Sequence, residues 1–306
     1  MHVRSSQLVV MVDEARRPTR WWLAWIVALL IIEGFALLGV FVGSAILGTP
    51  KSTDTRYQYV EVFASLSTLL GLFLWVRVKE GRRFSSIGFR PGRDWVKVLL
   101  GFVIGAALMS IGVLLGLMTG IYQNGRSTHS LSGSAALVAL VPLVLLFVLQ
   151  GTNEEAITRG YMLQMGARQV PAWVAIIGSS LIFTLIHTFK PLTVLNIMLY
   201  AVFACLVALQ QGSLWLIAGI HAGWNYFQGN FFGLPVSGIG EATSFFTIGP
   251  TAGASTLLSG GDFGLEAGLF ATLVLGGATL VAYLRLRSTR RSAATSTTAP
   301  TSTATG

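Results

Sequence analysis

Two adjacent carboxylates, Glu154 and Glu155, follow directly after the apolar run of residues 135–149. Arg159 lies four residues after Glu155, so a helix that continues through this stretch allows those two charges to pair. Glu154 then points about 100° away and has no partner in the local sequence. An unpaired ionisable group at membrane depth is costly and indicates a functional site, whereas the same residues at the solvated end of a helix would need no explanation. The local sequence leaves both interpretations open.

Two of the four histidines lie in apolar segments. Phe183 and His187 are four residues apart in one segment, and His221 and Asn225 have the same spacing in another, so each pair shares a helix face. A single histidine in a membrane helix is often a hydrogen-bonded packing residue. Two of them, together with an asparagine and an unpaired carboxylate on a third helix, indicate a polar site built between helices.

The elements that must position these residues are membrane helices. The chain has 306 residues, of which 53% are hydrophobic and 11% charged, and its mean hydropathy is +0.69. Several apolar runs exceed the ~18 residues expected of a helix that spans a bilayer. We therefore predict an all-α, polytopic membrane helix bundle with about eight transmembrane helices. The apolar spans lie at about 21–47, 58–77, 96–119, 134–165, 172–190, 192–210, 213–232 and 265–284.

The composition also divides the chain along its length. Residues 1–20 form a basic leader, residues 21–287 the transmembrane domain with a motif core at 135–228, and residues 288–306 a polar tail. The first apolar run is too long for the core of a cleaved signal peptide. The tail has no apolar periodicity and is predicted to be disordered. The connection at 233–265 is rich in Gly, Ser and Thr, and we expect its phenylalanines to fold it back onto the bundle.

The distribution of charge predicts the orientation. With eight helices both termini lie on one side, and seventeen of the 21 Lys and Arg residues fall on that side. The positive-inside rule then predicts a multi-pass protein of the cell membrane with both termini in the cytoplasm. The same rule explains the net charge of +9 without a nucleic-acid partner. The single cysteine, Cys205, excludes a disulfide framework and a cysteine-based metal site.

In their order along the chain, the polar residues resemble the three motifs of the CPBP family. That family includes the CAAX prenyl proteases of the Ras-converting type and bacterial proteins linked to bacteriocin processing or self-immunity. The matching patterns are EExxxR at Glu154, Glu155 and Arg159, FxxxH at Phe183 and His187, and HxxxN at His221 and Asn225. The sequence does not depart from the family at any of these positions. The stretches GGDFGLEAG and IGFRPGR fit the family more loosely.

The resemblance implies an intramembrane endopeptidase that cleaves a membrane-associated peptide or protein with water activated by glutamate and histidine. In that family role Glu154 is the general base, His187 holds and polarises the water, and His221 with Asn225 stabilises the oxyanion. Glu155, Arg159 and Phe183 would give structural support. No cofactor is expected, and prenylation of the substrate is not implied.

Two alternatives stay open. Glu154, His187 and His221 are also a plausible ligand set for zinc with room for a water molecule, although the chain lacks HExxH and Asn225 is a poor zinc ligand. The second alternative is a non-enzymatic immunity, scaffold or transport protein in which the polar cluster fixes helix packing. A transporter would use Glu154 and Glu33, but Glu33 suits a packing role and the chain has no internal repeat.

Overall fold

The computed structural model describes residues 3–51, 54–92, 94–125, 131–240 and 242–297. Eight apolar helices, α1 to α8, dominate these residues, and they coincide with the eight predicted segments. They are α1 Trp21–Leu47, α2 Thr55–Leu74, α3 Asp94–Met118, α4 Leu137–Glu155, α5 Ala172–Leu185, α6 Pro191–Gln211, α7 Trp215–Tyr226 and α8 Leu269–Thr297.

Six of these helices are long and apolar enough to cross a membrane within the described residues, whereas α5 and α7 are shorter. α5 has 14 residues and α7 has 12. Pro171 precedes the first turn of α5, and Gly212 ends α6 in a left-handed conformation just before α7. These two chain reversals shorten the neighbouring helices. The all-α membrane bundle is therefore confirmed, but a count of eight spans is not.

Three of the helices change to π-helical geometry at their carboxyl ends. A π-helix has one more residue in each hydrogen-bonded turn, and it occurs frequently at functional sites. The three segments are Trp75–Lys79 after α2, Ala156–Leu163 after α4 and Phe227–Phe231 after α7. After its π segment, α4 continues as an α-helix over Gln164–Gln169.

Helices α3 and α7 are in backbone contact. A Cβ atom added to Gly105 would meet the carbonyl oxygen of Ile220, and one added to Gly223 would meet the carbonyl oxygen of Phe102. Gly101 and Gly219 make equivalent close approaches. Small residues spaced four apart allow membrane helices to approach in this way. The contact fixes the position of α7, which carries two of the predicted site residues.

The basic leader packs against the bundle in its described part, although its sequence suggests a polar segment. Short helical segments cover Val3–Ser5, Gln7–Val10 and Met11–Glu14. Leu8 and Met11 are buried in the main hydrophobic core. The apolar run at 8–12 is only five residues long and has no helical period, so its packing against the bundle could not be predicted from sequence.

A buried group of charged and polar side chains joins this leader to the bundle, and we call it the Arg82 cluster. Arg82 Nε lies 2.7 Å from Glu80 Oε2, and both side chains are fully buried. Arg82 also donates to Gln164 Oε1 at 2.7 Å. Gln164 in turn donates to the carbonyl oxygen of Leu8, and Thr19 donates to Glu80 Oε1. The cluster connects the leader and the residues after α2 to the helix Gln164–Gln169 that continues α4.

The long connection before α8 folds back onto the bundle, as predicted. The ring of Phe245 stacks on that of Phe231 with centroids 5.7 Å apart, and Phe246 stacks on Phe232 at 6.3 Å. Two short strand pairs hold the connection in place: Tyr122–Gln123 pairs antiparallel with Gly249–Pro250, and Leu131–Ser132 pairs parallel with Thr243–Ser244. The remaining short helical segments are Phe84–Ile87, Gly133–Ala136, Thr256–Ser259, Gly261–Phe263 and Leu265–Ala267.

The last helix, α8, extends to Thr297, so it continues beyond residue 287 into the tail that the sequence predicts to be disordered. Its basic residues after the apolar part sustain the helix because Arg is a good helix former. Residues 298–306 of that predicted tail lie outside the described residues.

Candidate active site

Glu154, near the end of α4, faces both membrane histidines. Its Oε2 atom lies 3.6 Å from His221 Nε2 and 3.8 Å from His187 Nε2. The same oxygen is buried and has no hydrogen-bond partner. Three helices distant in sequence therefore bring one carboxylate oxygen and two imidazole nitrogens together, as predicted.

The hydrogen bonds on the far side of each imidazole determine which nitrogen carries a proton. His187 Nδ1 lies 2.7 Å from the carbonyl oxygen of Phe183, and His221 Nδ1 lies 2.9 Å from Glu155 Oε1. Both partners are acceptors, so each Nδ1 is the donor. In the neutral tautomer each Nε2 therefore has a free lone pair, which is directed to the side where Glu154 lies.

Glu155 is fully buried and joins several parts of the site. Its Oε1 atom accepts hydrogen bonds from Arg159 Nη1 at 3.0 Å, from His221 Nδ1 at 2.9 Å and from Tyr200 Oη at 3.3 Å. The predicted Glu155–Arg159 ion pair is confirmed. The link from Glu155 to His221 was not indicated by the sequence, because nothing in local spacing relates α4 to α7. Glu155 thus orients a histidine as well as neutralising an arginine.

Phe183 supports the site with both its ring and its backbone. The Arg159 guanidinium lies 4.3 Å from the centre of the Phe183 ring, so a cation–π interaction holds the two side chains together. The backbone N–H of His187 bonds to Thr184 rather than to Phe183, because α5 ends here. The carbonyl oxygen of Phe183 is therefore available to the His187 side chain.

The π-helical segment after α4 begins directly behind the two carboxylates. Within it, the Thr158 hydroxyl donates to the carbonyl oxygen of Glu154 at 2.6 Å and accepts from Arg159 Nη1 at 2.8 Å. The side chains of Thr158 and Arg159 thereby brace the last turn of α4. No residue in this segment signals the wider helix in the sequence.

Asn225 lies one turn after His221 and reaches across to α4. Its Nδ2 atom donates to Gln150 Oε1 over 3.4 Å, which is long for a hydrogen bond. Gln150 was not singled out from the sequence, although it lies one turn before Glu154 and shares its helix face. The amide of Asn225 is therefore held only weakly in its present direction.

These side chains surround a cavity of about 270 Å³, which we call the first cavity. All four predicted catalytic residues line it: Glu154, His187, His221 and Asn225. Its wall extends beyond the three predicted helices to α6, α8 and the long connection before α8, and these contribute Tyr200, Leu275, Ser237 and Glu266, among others.

Glu266 is the site residue that sequence reasoning missed most clearly. Its Oε1 atom accepts from Trp224 Nε1 at 3.3 Å, and its Oε2 atom accepts from the backbone N–H and the hydroxyl of Ser237 at 2.9 and 3.1 Å. The carboxylate therefore closes one wall of the first cavity by joining α7 to the long connection. The only signal was its place in the GGDFGLEAG stretch.

Metal binding is an open property of this site. Within the described residues, no group of three His, Cys, Asp or Glu side chains meets the geometry expected of a metal site. Two imidazole nitrogens and a carboxylate oxygen are nevertheless donors of the type that zinc takes in proteins. Zinc bound by Glu154, His187 and His221 therefore stays a hypothesis.

Comparison with known protein families identifies the segment that carries this geometry. Residues 136–227 match the family of type II CAAX prenyl endopeptidases, Rce1-like. This match supports the resemblance of the chain to the CPBP, or CAAX protease, family. The matched segment runs from the start of α4 to the end of α7 and contains every residue of the three motifs. No curated protein matches the chain. The family supports intramembrane protease activity, and together with the apolar helices it supports a multi-pass membrane protein.

Proposed function

We propose that this protein is an endopeptidase that hydrolyses a peptide bond in or near the membrane with water activated by Glu154. The observation that supports this most directly is the approach of Glu154 Oε2 to the two histidine Nε2 atoms at 3.6 and 3.8 Å. Glu154 Oε2 and the neutral His187 Nε2 are both acceptors, so a donor is needed between them. Water donates two hydrogen bonds and suits polar contacts that are too long to be direct.

In the first step Glu154 acts as the general base. The bound water donates one hydrogen bond to Glu154 Oε2 and the other to His187 Nε2, which leaves an oxygen lone pair for the substrate. As this oxygen attacks the scissile carbonyl carbon, its proton passes to Glu154 and a tetrahedral intermediate forms. General-base assistance of this kind typically contributes ~10²–10⁴-fold to the rate.

His221 and Asn225 stabilise the negative charge on the oxygen of the tetrahedral intermediate. Asn225 Nδ2 has only the weak bond to Gln150, so it turns to the oxyanion at small cost. His221 is the imidazolium throughout the reaction, so its Nε2–H donates to the oxyanion and keeps its proton, while the Glu155 carboxylate at Nδ1 balances the positive charge. Donors aimed at a developing oxyanion are often the largest single contribution to such a reaction.

The second step returns the proton. Glu154, now neutral, donates its proton to the amide nitrogen as the C–N bond breaks. The products are a carboxylic acid on one fragment and an amine on the other, and Glu154 is again a carboxylate. Arg159 and Phe183 act as positioning residues throughout, because Arg159 fixes Glu155 while Phe183 fixes His187.

The substrate in this proposal is a peptide or membrane-anchored protein, and the motifs do not specify prenylation. We place the protein in the cell membrane with both termini in the cytoplasm, because seventeen of its 21 Lys and Arg residues fall on that side.

The proposal is tested by comparing purified full-length wild type with Glu154→Gln on a broad peptide library, with products identified by mass spectrometry. We expect cleavage to fall by at least ~10²–10⁴-fold in this near-isosteric variant. Asp262→Asn is the matched control, since Asp262 is an exposed carboxylate outside the cavities. Equal cleavage by wild type and Glu154→Gln, with both proteins folded, rejects the mechanism.

Zinc is the alternative activator, favoured by the convergence of two Nε2 atoms and one carboxylate oxygen. Glu154, His187 and His221 would hold it, and when bound it would supply a water of lowered pKa. Metal analysis of the purified protein, combined with activity in a chelator, separates the two mechanisms. Full activity in metal-free protein rejects zinc, whereas activity that returns in proportion to added zinc supports it.

A further inference from the structure

A second cavity, of about 240 Å³, is lined by Glu154 and His187 as well. It shares these two residues with the first cavity, together with Gln150, Phe183 and Ile186. Its remaining wall is formed mainly by α1 and α2, which contribute nothing to the first cavity. The proposed general base therefore lines two cavities of similar size, whose remaining walls come from different helices.

The second cavity is acidic. Glu33 on α1 and Glu61 on α2 line it together with Glu154, and no Lys or Arg is among the described residues of its wall. Within the described residues, Glu33 and Glu61 have no hydrogen bond and no ion pair. Unpaired carboxylates in membrane helices are costly and are retained where a ligand or an ion uses them.

Asn153 supplies an independent observation in the same cavity. Only 9% of this residue is exposed, and its Oδ1 atom is buried without a hydrogen-bond donor. A buried polar atom without a partner is uncommon, and here it lies beside two unpaired carboxylates. An uncompensated acceptor and several negative charges together require a ligand that is both a cation and a hydrogen-bond donor.

The first cavity does not have this character. Among the described residues that line it, the carboxylates are Glu154 and Glu266, and both oxygens of Glu266 already accept hydrogen bonds from Trp224 and Ser237. The remainder of its wall is histidine, amide and apolar side chains. The two cavities therefore differ in charge, so they are suited to different parts of a substrate.

We propose that the second cavity binds a primary ammonium group of the peptide, held by Glu33, Glu61 and Asn153. This inference rests on the proposed function, because that function places a peptide at Glu154. Peptide hydrolysis offers two sources of the ammonium group: a lysine side chain near the scissile bond, or the amino terminus that the reaction creates beside Glu154. Both present the same –NH₃⁺ group with three donors.

The first test measures binding without proteolysis. n-Butylammonium chloride is titrated into the full-length protein in neutral detergent by calorimetry, with butan-1-ol as the uncharged probe. We expect saturable binding of the ammonium ion alone, weakened about tenfold or more in Glu33→Gln/Glu61→Gln and unchanged in Asp262→Asn. Single variants replace the double variant if its thermal unfolding shows a loss of fold. Equal binding of both probes, or unchanged binding in the variants, overturns the inference.

The second test separates the two sources. Cleaved peptides are prepared with lysine or norleucine at each position around the scissile bond, and product fragments with a free or an acetylated amino terminus. A lysine preference in kcat/KM that falls about tenfold in Glu33→Gln/Glu61→Gln identifies the side chain. Inhibition by free but not acetylated fragments, lost in the same variant, identifies the product terminus. If neither the lysine preference nor the inhibition by free amino termini is observed, the inference is overturned. If no peptide is cleaved, the proposed function fails while the calorimetry still decides whether the cavity binds ammonium.

Discussion

Two groups of charged side chains are buried in this bundle, and they differ in how completely their hydrogen bonds are satisfied. In the Arg82 cluster, Arg82 bonds to Glu80 and Gln164, and no side-chain atom of these three residues lacks a partner. In the group around Glu154, three atoms are buried without a hydrogen-bond partner: Glu154 Oε2, Glu155 Oε2 and Arg159 Nη2. Both groups lie on or against the same helix, α4 and its continuation.

The difference agrees with a structural role for the Arg82 cluster and with the catalytic role proposed for the group around Glu154. A buried ion pair is tolerated when further hydrogen bonds satisfy its remaining atoms, as in the Arg82 cluster. Unsatisfied atoms lower the stability of the folded protein, so a group that retains them has another use for its hydrogen-bonding capacity. At Glu154 that capacity is available to water and to the substrate. Substitutions in the Arg82 cluster should therefore lower stability and leave the rate of cleavage unchanged. Substitutions in the group around Glu154 should lower the rate more than the stability.

The largest effect on stability is expected from Arg82→Met. This substitution leaves Glu80 buried with an uncompensated charge, and such a loss typically lowers the free energy of unfolding by ~3–5 kcal/mol. Chemical denaturation in detergent measures it, while kcat per folded molecule should stay at the wild-type value. Glu80→Gln/Arg82→Met should recover part of the stability. A variant that is fully stable but inactive would contradict the structural role of the Arg82 cluster.

Asn225→Ala should show the reverse pattern. Loss of one oxyanion donor lowers kcat by ~10²–10³-fold, equivalent to ~2.7–4 kcal/mol, and leaves KM almost unchanged. Because Asn225 makes only the weak bond to Gln150, thermal unfolding should hardly change. Gln150→Ala is the matched control, with a smaller loss of kcat. A change in KM alone would assign Asn225 to substrate binding instead.

Gly105→Ala should displace the residues of α7 at the group around Glu154 and leave the Arg82 cluster in place. The added methyl group meets the carbonyl oxygen of Ile220, next to His221, so α3 and α7 must separate. Overpacking of this kind destabilises by ~1–3 kcal/mol. Gly276→Ala is the control because a Cβ there meets nothing within 4 Å. Equal effects of the two substitutions on unfolding would show that the α3–α7 contact is not tight.

The smallest effect is expected from Tyr200→Phe. The Tyr200 hydroxyl donates to Glu155 Oε1 over 3.3 Å, and Glu155 keeps its bonds to Arg159 and His221 without it. Removing one such hydrogen bond lowers stability by ~0.5–1.5 kcal/mol. Unfolding and cleavage assays on the same preparation measure the change. A loss of activity as large as that of Asn225→Ala would give Tyr200 a direct part in the reaction.

The sequence was sufficient for features that depend on local spacing. Hydrophobic runs predicted all eight apolar helices, and the four-residue spacing predicted the Glu155–Arg159 pair and the faces that carry His187 and His221. Order along the chain and similarity to known motifs then predicted that these faces meet at Glu154. Each of these inferences uses a period or a motif that is written in consecutive residues.

Features that depend on contacts between distant residues were not predictable in this way. The Glu155–His221 bond, the Glu266 wall and the packing of Leu8 join segments whose separation in sequence has no period. The π-helix behind Glu155 has no residue signature either. That Glu33 lines the same cavity as Glu61 and Glu154 likewise depends on contacts between separate helices.

The glycine contact between α3 and α7 restricts how the molecule can open. A shift of α7 by one residue along its axis would bring side chains to positions where only hydrogen atoms fit, so this pair of helices has a single register. Sliding of α7 along α3 is therefore not available to the protein. In the proposed function, α3 and α7 form a fixed frame for His221 and Asn225, and any movement that admits a substrate involves other helices.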